Sequence, residues 1–89
     1  MSQAVYKYGP IPNYMEKYTA WVEGNPVHAE HMSGGIFVWS VVNPEAEEES
    51  KVRRQMVFYP TGRPFSGVYW FTVVDKEGFV WHVVEKEHN

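Results

Sequence analysis

The chain has 89 residues and no cysteine, so it reads as one small domain over 1–89, without a disulfide scaffold or a thiolate-bound metal. Its formal charge of −3 excludes a protein that grips polymeric nucleic acid through a broad basic face. No run approaches the roughly 20 apolar residues of a membrane-spanning helix. Met1-Ser2-Gln3-Ala4 opens no signal peptide, so a cytoplasmic protein with no membrane partner is expected. The absence of leucine, the wealth of valine and an aromatic share of 17% suit the pleated surface of a sheet better than a helix. That aromatic share also exceeds what a thin core hides, and predicts that some rings meet a partner, a ligand or a second copy of the chain.

Val5 to Tyr8 reads as a first strand, closed by Gly9-Pro10-Ile11-Pro12. The stretch from Tyr14 to Val22 carries two signals. Asn13 with Glu16 spells a capping box, and Tyr14, Tyr18, Trp21 and Val22 share a helical face, whereas Tyr18-Thr19-Ala20-Trp21-Val22 spells a strand. The strand is preferred. Glu23-Gly24-Asn25-Pro26 is a turn, Val27 to Met32 a strand, and Ser33-Gly34-Gly35 a hairpin turn into Ile36–Val42. That run is apolar on both faces, which places it in the middle of a sheet or against a partner. Asn43-Pro44 ends it, and an acidic loop with Glu45, Glu47, Glu48 and Glu49 follows. Along Val52–Tyr59 the residues Val52, Arg54, Met56 and Phe58 face one way and Arg53, Gln55, Val57 and Tyr59 the other. Pro60-Thr61-Gly62-Arg63-Pro64 is a rigid loop, too rich in proline to continue a strand. Val68–Val74 and Phe79–Glu85 are the last strands, joined through Asp75-Lys76-Glu77-Gly78, and Lys86 to Asn89 is a polar tail that frays. The expected fold is all-β, a mostly antiparallel sheet of five to seven strands with at most one short helix.

Residues for chemistry are few. His28 and His31 stand three apart, which on a strand puts them on opposite faces, so no metal site and no cofactor is expected. No nucleophile elbow, phosphate-binding glycine loop, zinc-protease motif or dinucleotide fingerprint is present. His82, in Val80-Trp81-His82-Val83-Val84, can serve as an acid or base but shows no nucleophile or orienting carboxylate beside it in the sequence. The proline-framed loop offers the Thr61 hydroxyl, a close approach at Gly62 and the planar fork of Arg63, which matches phosphate oxygens. The same loop reads equally as a turn that simply needs its proline and glycine.

Asn43-Pro44-Glu45-Ala46, Pro60-Thr61-Gly62-Arg63-Pro64 and Gly78-Phe79-Val80-Trp81-His82-Val83-Val84-Glu85 together resemble a family of small phage and bacterial proteins of unknown function. Its members carry a Trp-containing strand ending in an Asp-Pro-Glu-like turn, here Trp39 to Pro44, then a Thr-Gly-His-Pro loop and a closing Phe-Val-Trp-His-Val-Phe-Glu strand. Lys7-Tyr8 answers a short Lys-Tyr strand, and the similarity is dense from Ile36 onward. The chain departs at Arg63, where the family has histidine, and at Val84, where it has phenylalanine. Arginine stays protonated near neutral pH, so the first departure removes a base from the loop and strengthens an anion site.

The resemblance implies a phage setting, hence the host cytoplasm, and by analogy of fold and setting a sponge that sequesters a nucleotide signal of host defence, as anti-CBASS and anti-Thoeris proteins do. The expected ligand is small and anionic, a cyclic nucleotide. Its phosphates would meet Thr61, Gly62 and Arg63 with help from Arg53 or Arg54, and its bases would stack on Tyr59, Tyr69 or Trp81 near His82. A homo-oligomer is expected with it. The rivals are an inhibitor that caps a host enzyme with the acidic loop and exposed aromatics, and a small enzyme that uses His82.

Overall fold

Among the described residues seven strands follow one another: β1 (Ala4–Ile11), β2 (Thr19–Glu23), β3 (Asn25–Met32), β4 (Gly35–Val42), β5 (Arg53–Pro60), β6 (Gly67–Val74) and β7 (Val80–Lys86). They come from a computed structural model that describes residues 2–12, 14 and 19–87. All recorded pairings are antiparallel, in two sheets ordered β1-β4-β3 and β2-β5-β7-β6. The chain is all-β as expected, but its strands divide between two sheets instead of extending one. The shortest extent, 17 Å, is that of two packed layers. Among the described residues the helical structure assigned as an element is one 3-10 turn, Glu48–Ser50, and no helix is long and apolar enough to cross a membrane.

Alternation explains the core. Met56 and Phe58 on β5 and Val83 on β7 point inward and are at most 2% exposed, meeting Val22 of β2 and Ile36 and Val38 of β4. Each such side chain contributes roughly 1.5–3 kcal/mol on leaving water. The run Ile36–Val42 lies on the central strand of its sheet. Its second face is covered in part: Phe37 is buried, with the Lys7 ammonium 5.0 Å from its ring centroid, while Trp39 and Val41 are half-buried.

Several boundaries differ from those read in the sequence. β1 continues through Gly9-Pro10 to Ile11, because its pairing with β4 slips between Tyr8 and Ile11 and lets a proline without an N–H sit in the irregularity. The expected turn at Glu23–Pro26 shrinks to Gly24, where the chain passes from one sheet to the other. Gly24 has φ +84°, its amide donates to Val52 O at 2.8 Å, and a Cβ there would run into the Val41 carbonyl. β5 includes Pro60, which ends the strand opposite Trp81. The strand reading of Tyr14–Val22 holds for Thr19–Val22. Tyr14 is buried ahead of it, and residues 13 and 15–18, with the end of the tail at 88–89, lie outside the described residues.

Candidate functional site

β7 turns alternate residues to opposite sides, and the two sides carry different chemistry. Trp81 faces the core and His82 the outer surface. In register with His82 stand Tyr59 of β5 and Thr72 of β6. Tyr69 joins them through a β-bulge: the β6–β7 register shifts between Tyr69 and Phe71, so Tyr69 and Thr72, three apart, share the outer face. Simple alternation would have separated them.

Side chains on this face form a continuous chain of hydrogen bonds. Thr61 Oγ1 lies 2.8 Å from His82 Nε2, the Tyr69 hydroxyl lies 2.9 Å from His82 Nδ1, and the Tyr69 hydroxyl also meets Thr72 Oγ1. A neutral imidazole offers one donor and one acceptor, so one of the two flanking hydroxyls donates to the ring and the other accepts from it. The rings add a platform. Phe65 sits between Tyr59 and Tyr69, at centroid distances of 5.8 and 6.1 Å, and Tyr69 stands 5.6 Å from His82. Tyr69 and Phe65 remain 45% and 44% exposed, so the platform is open to a flat ligand. Beneath it Val84, flanked in register by Val57 and Tyr69, is fully buried.

The turn that carries Thr61 is well defined. The Arg63 amide donates to Pro60 O at 3.2 Å and Gly62 has φ +93°, which together make the turn type that demands glycine at its third residue. Nothing lies within 4 Å of a Cβ built at Gly62, so its glycine answers to backbone conformation while the space above it is open. Thr61 also lines a hollow of about 400 Å³ with Pro60, Gly78, Phe79, Val80 and Trp81. The threonine thus stands where the platform meets the hollow.

Of the residues expected to hold a ligand, the structure gathers Thr61, Tyr59, Tyr69 and His82, with Gly62 and Arg63 on the adjoining turn. It does not bring the others. Arg53 is drawn to Glu48 at 2.5 Å, a pairing that holds the Glu48 carboxyl below its ordinary value. Arg54 lies on the inner face of β5, where it donates to Gly24 O at 2.8 Å and to Glu85 at 3.0 Å, with its guanidinium 5.3 Å from the Trp70 ring. Trp81 is 8% exposed, and its ring faces the core instead of offering a stacking surface. Arg63 is exposed and, among the described residues, forms no ion pair.

Phe65 and Asp75 were missed in the sequence. Asp75, which the sequence places in the connection between the last two strands, organises the β6–β7 turn that walls the hollow. It is 5% exposed. Its Oδ1 accepts the Glu77 and Phe79 amides, each at 3.0 Å, and its Oδ2 accepts Trp81 Nε1 at 3.1 Å and the Tyr14 hydroxyl at 3.3 Å. Burial pushes this carboxyl up. The bonds from Trp81, from the Phe79 and Glu77 amides and from Tyr14 more than cancel that, leaving it below its ordinary value. The signal was an Asp two residues before Glu-Gly, the composition of a side-chain-capped turn. A second cleft, about 620 Å³, lies on the other side of this turn against Tyr14 and His31. Its carboxylate already accepts four internal bonds, which leaves less polar chemistry for a ligand there than the platform offers.

Among the described residues no group of three or more metal-ligating side chains occurs. Searches of curated proteins and of solved structures return no match to this chain. The sequence profile of a family described as "Domain of unknown function (DUF7352)" matches residues 1–89, and the chain belongs to that family.

Proposed function

We propose that the protein is a homo-oligomeric, phage-type sponge that binds a small anionic ligand carrying an aromatic base and sequesters a cyclic nucleotide signal of host defence. One observation carries this reading: the open ring platform of Tyr59, Phe65 and Tyr69 lies beside the Thr61–His82–Tyr69 hydrogen-bond chain and the turn that presents Arg63. A base stacked on such rings contributes about 1–3 kcal/mol. A bidentate contact from arginine to phosphate adds roughly 1.5–3 kcal/mol. Two stacked bases with one such contact reach the roughly 8 kcal/mol of micromolar affinity only near the upper end of those ranges. The phage setting rests on the sequence resemblance. The test is calorimetry of the protein with mononucleotides, cyclic mononucleotides and cyclic dinucleotides. Binding to at least one, weakened by Arg63→Ala, supports the reading, and no heat from any of them overturns it.

A second reading is favoured by the 2.8 Å approach of the Thr61 hydroxyl to His82 Nε2, the arrangement in which an imidazole activates a hydroxyl. Here Tyr69 on Nδ1 holds the ring, and the protein turns its ligand over instead of storing it. Mass spectrometry of the ligand after incubation separates the two readings: an intact ligand belongs to the sponge, and a product lost in His82→Ala belongs to the enzyme. The capping role of the acidic loop has less support, because Glu48 is engaged by Arg53 and Lys51.

A further inference from the structure

The two sheets expose four edges, and three of them resist strand addition. β1 carries Lys7 and Pro10, β3 carries Pro26 and Glu30, and β2 is five residues long and ends in Glu23. Proline, charge, shortness and bulges are among the devices by which edge strands avoid pairing with another chain. β6 has none of the first three, and its single bulge, at Trp70, leaves a regular register on either side, Gly67–Tyr69 and Phe71–Val74. It is eight residues of Gly-Val-Tyr-Trp-Phe-Thr-Val-Val, with no charge and no proline, at the outer position of the order β2-β5-β7-β6. Among the described residues nothing pairs with its outer edge. Its side chains are unusually uncovered for such a sequence: Val68 is 54% exposed and Val74 58%.

We infer that β6 is the edge along which a second copy of this chain adds, antiparallel and about a two-fold axis, so that the four-stranded sheet continues as eight strands across a dimer. Charge identifies the occupant. A two-fold sets a strand against itself, and β6 meets no like charge when it does so, whereas β3 would bring Glu30 towards its own copy. Length agrees: the eight residues span about 27 Å at 3.4 Å per residue, enough for an extended antiparallel pairing. The pairing also bears on the site. Tyr69 and Thr72 lie on this strand, so the outer faces of the two copies join and their platforms become neighbours. The inference supplies the interface for the homo-oligomer proposed above and does not depend on its ligand.

Sedimentation velocity and light scattering on the full chain test it. At about 50 μM the protein is expected to be a dimer that dissociates on dilution towards 1 μM, the behaviour of micromolar association. Val68→Lys with Val74→Lys is expected to give a monomer that melts cooperatively, since both side chains already tolerate water. Val27→Lys on β3, 48% exposed, is expected to leave the dimer intact. A wild type that stays monomeric at about 100 μM overturns the inference, as does a dimer or larger assembly that survives the double substitution. Should the double variant fail to fold, hydrogen exchange on the wild type decides. Alternate amides of Gly67–Val74 must exchange faster on dilution, and unchanged rates refute the edge. Calorimetry with nucleotides is a separate readout, so a dimer without ligand binding sinks only the ligand, and binding by a strict monomer sinks only the edge.

Discussion

Two polar networks lie back to back on the β6–β7 hairpin, and they differ in what remains for another molecule. Behind the strand, the Asp75 carboxylate is out of water and accepts four bonds from its own chain, one of them from Trp81. In front, the next residue, His82, joins Thr61 and Tyr69 in a chain whose members stay accessible beside exposed rings. A buried network filled entirely by its own molecule holds structure, because any missing partner leaves a desolvated group unsatisfied. An open network exchanges its partners with water at little cost, which leaves it free to meet a ligand. Adjacent residues on one strand thus divide into a structural and a candidate functional role by facing opposite ways.

Substitutions can break this comparison, and the largest effect belongs to the buried side. Asp75→Ala strands the Trp81 and Tyr14 donors and two turn amides, and is expected to lower the melting midpoint more than any other variant named here. Trp81→Phe removes one donor to a charged acceptor and is expected to cost about 1.5–3 kcal/mol in urea unfolding. Acid sharpens the same point. The folded-state pKa of Asp75 is lowered, so its stabilisation is complete above the unfolded carboxylate value of about 3.9 and is lost as pH falls through the lower folded value. Melting curves between about pH 6 and pH 2.5 are expected to show that loss, and Asp75→Asn is expected to remove this part of the slope.

On the open side the expected effects fall on binding and leave the fold. Arg63→Ala is expected to weaken a nucleotide by roughly ten- to a hundredfold in calorimetry with the melting point unchanged, and Arg63→Lys to recover part of it. A loss of stability in Arg63→Ala equal to that of Trp81→Phe would erase the distinction between the two networks. The smallest effect belongs to the turn. Gly62→Ala forces φ +93° on a residue with a side chain and is expected to cost about 1 kcal/mol in the same unfolding assay, although the space above it is empty.

Much of the fold was legible in the sequence because the signals were local. Alternation along Val52–Tyr59 put Met56 and Phe58 on one side of the strand, which the structure makes the inner one, and the two-faced apolar run Ile36–Val42 pointed to the middle of a sheet or to a partner, of which the structure realises the first. Gly62, Arg63, Thr61, Tyr59, Tyr69 and His82 were legible as candidates from residue type alone. Only the tertiary structure decided which of the candidates could act together. Arg54 and Trp81 face inward, where Glu85 and Asp75 claim them, and Arg53 is taken by Glu48. The β6 bulge puts Tyr69 and Thr72 on one face against the two-residue period, and the return of the loop after Arg63 sets Phe65 between Tyr59 and Tyr69. The physical reason is range. Alternation and turn chemistry act between neighbours in the chain, whereas a carboxylate 61 positions from Tyr14, or a hydroxyl 21 from His82, becomes a partner only after strands have paired and sheets have packed.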